Sequence, residues 1–233
     1  PEEAVVDDGD VELQALGRDG RELASGHLEA AVAGDHPDLG VRAGEARAED
    51  LSLGRARVAV PVADLRKEPT SLGPSLEHDP LQESQLLYAD PVTVLEIQRG
   101  WARVAAPDQQ EWTHNRKWEG YPGWMRAADL VPEPTGWDPN LVIVTQRAYV
   151  QPAPNARIFS PLRLPMGTRL RGTQVANNWK VRLLDSSEGW LAIQEAQDFM
   201  RWRAADEYSG RARGQITAAD RLFLDTPYYW GGR

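Results

Sequence analysis

The sequence predicts a mainly β fold, two small barrels in tandem followed by a short helical stretch, and three observations predict it. From residue 58 onward, strand-like runs of Val, Leu and Trp are punctuated by Gly, Pro and Asp, with no helical periodicity until about residue 194. One ordered set of these signals occurs twice. After the second copy the apolar spacing changes to the three and four of a helix.

A mass of 25.9 kDa in 233 residues has room for two small domains or one large one. Lys and Arg number 26 against 35 Asp and Glu, a net charge of −9, so no nucleic-acid partner is expected. The absence of cysteine excludes a disulfide framework, a thiolate metal site and a thiol nucleophile within the chain. No run of about 18 apolar residues occurs, so no membrane-spanning segment is expected. Pro1-Glu2-Glu3 offers neither an initiator Met nor a signal peptide, and the chain reads as soluble and cut from something longer. His27, His36, His78 and His114 include no pair at a metal-ligand spacing and read as exposed loop residues, so no metal and no other cofactor is expected. Asp7-Asp-Gly-Asp10 lacks the alternating spacing and distal Glu of a calcium loop.

Charge is distributed unevenly. Residues 1–57 carry 14 acidic and 6 basic side chains, whereas 58–233 carry 21 and 20. The head has no aromatic residue, since the first in the chain is Tyr88, and it lacks the large side chains of an independent core. Val11–Leu16 and Glu22–Ala24, separated by Gly17-Arg-Asp-Gly20, suit a hairpin completing a preceding domain.

The first copy of the repeat runs Val58–Pro69, Tyr88–Val94, Gly100–Val104 and Gly123-Trp-Met125. The second runs Leu141–Pro152, Pro165–Leu170, Asn178–Val181 and Gly189-Trp-Leu191. Each is a strand ending in a proline loop, a turn into a second strand, a short turn into a Trp-bearing third, and a Gly-Trp opening a fourth. Val94 to Val104 is 10 residues and Leu170 to Val181 is 11, but Val104 to Trp124 is 20 against 9 for Val181 to Trp190. The first copy therefore carries an 11-residue insertion with Trp112, His114, Trp118 and Tyr121. Alternation puts Trp179, Val181 and Leu183 on one face and Lys180 and Arg182 on the other; Trp101 is offset by one. Trp124, Trp179 and Trp190, at strand positions, are expected in the cores, and the insertion's aromatics at a surface or beside a cleft.

Repeats of this length and punctuation resemble bacterial SH3-like (SH3b) domains, small barrels of five to six strands found mainly in cell-wall enzymes. The resemblance covers residues 58–131 and 139–197. Ile193, Ala196, Phe199 and Met200 then fall at helical spacing, predicting a connecting helix from Gln194 to about Ala204. Gly210 and Gly214 bracket a basic linker, and Thr217-Ala-Ala-Asp220 predicts the start of a second helix, with Ile216, Ala219, Leu222 and Phe223 on one side and Pro227 as its end.

The last residues, Asp225-Thr-Pro-Tyr-Tyr-Trp-Gly-Gly-Arg233, resemble the opening of the NlpC/P60 catalytic domain, an α+β papain-like cysteine peptidase fold that cleaves murein peptides. In that family the Gly-Gly precedes an Asp-Cys-Ser-Gly whose Cys is the nucleophile, and this chain stops first. Two SH3b domains before such an opening resemble, as an architecture, the γ-D-glutamyl-L-diamino acid endopeptidases, also called dipeptidyl-peptidase VI. The implied organisation is an acidic segment over 1–57, possible tail of a preceding domain, SH3b domains over 58–131 and 139–197, and a connector with the start of a truncated catalytic domain over 198–233. Asp38-Leu-Gly-Val-Arg42 is also similar to the closing segment of enolase-superfamily epimerases.

Amide cleavage by that family needs a thiolate, an imidazole, a group orienting it and oxyanion donors. With no Cys, and all four His ahead of the helix that would carry it, the chain alone is expected to be inactive. The resemblance implies that the first barrel blocks one end of the cleft and that a Glu and a Tyr of it receive the free N-terminal ammonium of the substrate. The matching residues are Glu83, in Leu81-Gln-Glu-Ser-Gln85, and Tyr121, in Gly120-Tyr-Pro-Gly-Trp124. Tyr228 and Trp230 match the family's Tyr-x-Trp, which implies the phenol near the missing thiol and the indole on the pocket wall. Glu83 as a solvated loop carboxylate, and Tyr228 and Trp230 as core aromatics, stay open beside these roles. The implied partner is a murein stem peptide, L-Ala-γ-D-Glu-diamino acid, met at the cell envelope or in cytoplasmic recycling. The alternatives are a non-catalytic SH3b module that binds the cell wall and a barrel pair that binds protein.

Overall fold

Residues alternating between a buried and a solvent face build the strands of this chain. The computed structural model describes residues 51–70, 79–154, 156, 162–199 and 210–224. The expectations placed on residues 1–50 and on the terminal Asp225–Arg233 motif lie outside these.

The first part is an antiparallel sheet of β1 (Gly54–Val58), β2 (Val62–Arg66), β3 (Gln82–Leu87), β4 (Pro91–Gln98), β5 (Trp101–Glu111), β6 (Glu119–Arg126) and β7 (Leu130–Pro132). Its strand order is β3-β2-β6-β5-β4-β1-β7. The second part contains β8 (Leu141–Ile143), β9 (Arg147–Tyr149), β10 (Arg163–Pro165), β11 (Arg169–Val175), β12 (Asn178–Arg182), β13 (Glu188–Ala192) and β14 (Ala196–Asp198). These form a β13-β12-β11-β8-β14 sheet and a β9–β10 hairpin, joined where Gln151 bridges to Trp190. Across that bridge the order is β10-β9-β13-β12-β11-β8-β14, the first order with every strand advanced by seven. The sequence repeat is thus a repeat of topology.

Both central hairpins close with two-residue loops, Arg99-Gly100 and Ala176-Asn177. Arg99 and Gly100 both have positive φ, 48° and 80°, the conformation whose twist matches that of the flanking strands.

The Gly-Trp pairs explain how each sheet folds onto itself. Gly123 lies opposite Val104, and Gly189 opposite Val181, on the core face. A Cβ on Gly123 would sit 2.6 Å from Leu65 Cγ, and one on Gly189 would overlap Val150 Cγ1. In each copy the first strand's segment, Ala63-Asp-Leu65 or Ala148-Tyr-Val150, crosses over the glycine. Its next residue then pairs with the following Trp, Arg66 with Trp124 and Gln151 with Trp190. Alternation therefore turns Trp124 and Trp190 outward, half-buried, and Met125 and Leu191 take the core places expected of them. Trp179 does pack against its core, and Trp101, one position out of phase, lies off the Ala102–Val104–Ala106 core face.

Each part encloses its own cluster of buried aliphatic residues, but the second cluster also takes in Tyr88 and Ala89 from the turn between β3 and β4. The Leu184 N–H donates to Tyr88 Oη at 2.9 Å. Burial pushes this phenol up to about 12, the Leu184 N–H opposes that, and the Asp185 carboxylate adds to it. Arg169 on β11 reaches back to Asp90, at 3.4 Å, and to Asp108.

Two helical expectations are corrected. Ala196–Asp198 is strand β14, paired with β8, rather than part of a helix from Gln194. Trp179 Nε1–H donates to the Ile193 and Ala196 carbonyls at 3.2 and 3.0 Å, and Ala196 is buried on a strand paired with β8, so spacing by three here reflects a turn and an edge strand. Residues 200–209 of that expected helix lie outside the described set. The second helix, α1 (Gly210–Arg221), begins seven residues before Thr217 and ends before Pro227 in tight i→i−3 turns through Leu224. The expected linker is its first turn, because one interior Gly costs only about 1 kcal/mol against Ala.

Gly123→Ala and Gly189→Ala should each destabilise the protein by roughly 1–3 kcal/mol through overpacking, read from urea unfolding. Pairing Gly189→Ala with Val150→Ala should recover part of the loss. Changes under about 0.5 kcal/mol would disprove the crossing contact.

Candidate functional site

Glu83 owes its position to an irregularity in the β2–β3 ladder. Leu65 pairs with Ser84 and Arg66 with Gln82, leaving Glu83 as the extra residue of a bulge. Bulges re-aim a side chain that a regular strand would point elsewhere. On the other side, Ala106 pairs with Tyr121 and Gln110 with Gly120, so residues 107–109 are excess in β5. A Cβ on Gly120 would lie 2.9 Å from the Ala106 carbonyl carbon and oxygen, so only glycine fits beside this second bulge. Gln109, from the excess segment, accepts from Ser84 Oγ at 2.7 Å and donates to the Gln85 carbonyl at 2.8 Å. The two irregularities are thereby tied together around Glu83.

Tyr121 Oη donates to Glu83 Oε2 at 2.8 Å. The other carboxylate oxygen, Oε1, is buried without a hydrogen bond, and the Lys67 ammonium stands 3.4 Å from it. The Glu83 side chain is 12% exposed and that of Lys67 57%, so the carboxylate is fixed while its cation can move away. Burial, then the hydrogen bond to Glu83, then the charges of Glu83 and Glu111 push the Tyr121 phenol up to about 12. At neutral pH it is a donor held on a carboxylate.

The hairpin tip beyond Tyr121 is organised by Glu111. Its Oε1 lies 2.9 Å from His114 Nδ1, and its Oε2 receives the Thr113 hydroxyl at 2.6 Å. Partial burial raises the Glu111 pKa, but the Thr113 hydroxyl and the Thr113 and His114 N–H groups outweigh it and leave the carboxyl below its ordinary range. The His114 ring meets Tyr121 edge-on, with centroids 5.4 Å apart. Trp112 and Trp118 form a tilted pair 6.0 Å apart and are 49% and 68% exposed. Lys117 and Asn115 both hold Glu119 at the far end of the tip.

Of the four residues singled out from the sequence, the structure brings Glu83 and Tyr121 into contact, while Tyr228 and Trp230 lie outside the described residues. Lys67, Glu111, Gln109 and the contact of His114 with Tyr121 were missed. The i, i+3 spacing of Glu111 and His114 was a readable signal for their pairing. Nothing local in the sequence announces the Lys67–Glu83 pair, which spans the loop between β2 and β3. Among the described residues, no three His, Cys, Asp or Glu cluster as metal ligands would.

No protein-family model matches the sequence, and no curated protein does. Among solved structures, an NlpC/P60 family protein from Bacillus cereus ATCC 10987 is similar, with a TM-score of 0.61 and 22% identity. The alignment covers 76% of this chain and 66% of that one, so the chain spans just under two thirds of its length. At that identity the likeness is one of fold. The proteins NlpC2 and NlpC1 of Trichomonas vaginalis align at 12% identity over 72% and 66% of this chain, and 56% and 48% of their own lengths. Their TM-score of 0.23 carries no argument about this fold.

Tyr121 should titrate near pH 12 in ultraviolet absorbance, and Glu83→Gln should move it toward 10.0 by removing the acceptor and its charge. Tyr88, which also titrates near 12, should stay in place as the internal reference. Because the folded state holds the Tyr121 proton more tightly, its contribution to stability is complete below pH 10.0 and is lost as pH rises toward 12. A Tyr121 transition that Glu83→Gln leaves unmoved would contradict the hydrogen bond.

Proposed function

We propose that this chain is the substrate-recognising part of an NlpC/P60-type murein-peptide hydrolase that cuts the γ-D-Glu to diamino-acid bond of peptides with a free N-terminal L-Ala. In this reading the two sheets are the SH3b domains of 58–131 and 139–197, and residues 198–233 lead into the catalytic domain. The thiol is supplied by residues outside these 233, which contain no cysteine. Tyr228 and Trp230 belong to the pocket wall, the placement implied by their match to the family's Tyr-x-Trp. The fold shared with an NlpC/P60 family protein supports the enzyme class.

One observation carries the specificity. A buried carboxylate has one oxygen saturated by Tyr121 and the other facing only an ammonium, that of Lys67. Lys67 Nζ occupies the position an N-terminal ammonium would take. Lys67 is 57% exposed and water can take up its ammonium, so the lysine yields its place when a peptide arrives. An acetylated N-terminus has no charge for Glu83 and adds bulk where the lysine stood.

A second reading, a non-catalytic module that binds the cell wall, is favoured by the exposed Trp112–Trp118 pair. It requires retention on insoluble murein that Trp118→Ala abolishes and free stem peptide does not compete away.

Calorimetric titration of the chain with L-Ala-γ-D-Glu-meso-diaminopimelate and its N-acetyl form should show the free amine bound at least about tenfold tighter, the scale of one charge-assisted hydrogen bond. Lys67→Met should tighten binding of the free amine, and Glu83→Gln should erase the preference. Equal affinity for both peptides in the unsubstituted chain would overturn the assignment.

A further inference from the structure

The second sheet carries a feature that the Glu83 site does not use. On its outer face a concavity of about 460 Å³ is lined by Arg171, Thr173, Lys180, Arg182, Glu188 and Asp138, with Asn140 and Gly172 in its wall. Arg171 on β11 and Arg182 on β12 are direct cross-strand partners. Like charges at such positions oppose each other, because their Cβ atoms stand only about 4.5–5.5 Å apart. The ordinary remedy is a carboxylate beside them, and the one across from Arg182 is engaged by another cation. Glu188 is the direct cross-strand partner of Arg182, yet it pairs with Lys180 at 2.7 Å. Arg171 Nη1 instead donates to the Gly136 carbonyl, at 2.6 Å, and Arg182 Nη2 to Ser186 Oγ, at 3.1 Å. Both guanidinium groups are thus anchored by neutral acceptors and keep their charge and most of their donors. The sequence around it leans the same way: residues 138–199 hold seven basic and five acidic side chains in a chain whose net charge is −9.

We propose that this concavity binds a phosphate ester of a sugar or polyol. Two guanidinium forks offer more donors than one carboxylate can accept, whereas a tetrahedral phosphate has oxygens for both. The volume exceeds that of a bare phosphate ion and lies within the range of small-molecule sites. Asp138, which makes no ion pair among the described residues, would accept from the hydroxyl groups of the ester, and Thr173 lies on the same wall. The wall is held independently of any ligand: Asn140 makes two 2.9 Å hydrogen bonds to the Gly172 backbone.

The test uses the full chain with glucose 6-phosphate, inorganic phosphate and glucose, by calorimetry and thermal unfolding against chloride at equal ionic strength. Glucose 6-phosphate should bind tightest, inorganic phosphate more weakly and glucose not at all. Arg171→Gln and Arg182→Gln should each weaken glucose 6-phosphate about tenfold or more, and Arg163→Gln, an equal change of charge on the exposed side of β10, should not. Arg182→Gln should also raise the melting temperature of the free protein, since it relieves the opposed charges, a gain that a merely structural arginine would not give. Asp138→Asn should narrow the preference for glucose 6-phosphate over inorganic phosphate. Equal stabilisation by phosphate and chloride, or binding unaltered in both arginine variants, would overturn the site.

Discussion

Each half of the fold depends on one contact, the passage of a strand over a glycine that has no side chain to obstruct it. Leu65 occupies the volume above Gly123 and Val150 the volume above Gly189. Without those gaps β2 could not reach β6, nor could the chain at Gln151 reach β13, and each sheet would stay open along that edge. The Trp after each glycine is thrown to the outer face by the same geometry and is itself one member of the bridging pair. The Gly-Trp dipeptide repeats because closure needs a small residue inward and a large one outward at adjacent positions.

That closure is also what creates the Glu83 site. β3 has β2 as its backbone-paired neighbour in the sheet, so Glu83 and Tyr121 meet because β2 lies on β6. The bulges then make the fine adjustment, one turning Glu83 toward the phenol and the other placing Gln109 over β3. The second sheet contributes as well. Arg169 grips Asp108, the residue before Gln109, and also Asp90 in the turn that delivers Tyr88 to the second core. Partial burial lowers the Arg169 pKa, and the two carboxylates more than reverse that, so the guanidinium stays charged at the junction. The bulge bracing Glu83 is held from both halves, which makes the site a property of the pair.

Much of the fold was legible because it rests on periodicity. Alternation gave the faces of β12, the matched hairpins gave the repeat, and the offset of Trp101 was visible before any coordinates. What misled was reading aromatic residues as core. Trp124 and Trp190 face outward because the glycine before each had already claimed the inward phase, a constraint that appears only once the crossing strand is known. The start expected for a helix at Gln194 was wrong for a related reason, since spacing by three is shared by a helix and by a turn leading into an edge strand, and long-range pairing of Ala196–Asp198 with β8 decided between them. Glu83 and Tyr121 were singled out, and expected near each other, through a family resemblance, while nothing in the sequence announced their direct hydrogen bond across 38 positions. Lys67 was missed because its partner lies across a loop, where spacing says nothing.

The distribution of charge follows a similar division. A carboxylate sequestered from water is costly unless something compensates it, and Glu83 meets this with a phenol and a mobile lysine rather than with a buried arginine. The protein does contain the tighter solution: Arg66, itself buried, is locked to Asp79 at 2.7 Å. That pair joins the two ends of the β2–β3 loop, where rigidity serves the fold. Next to it, on the same strands, Glu83 has the weaker partner. A fixed anion with a half-exposed cation suits the ammonium site proposed above, whereas an immovable cation would have closed it.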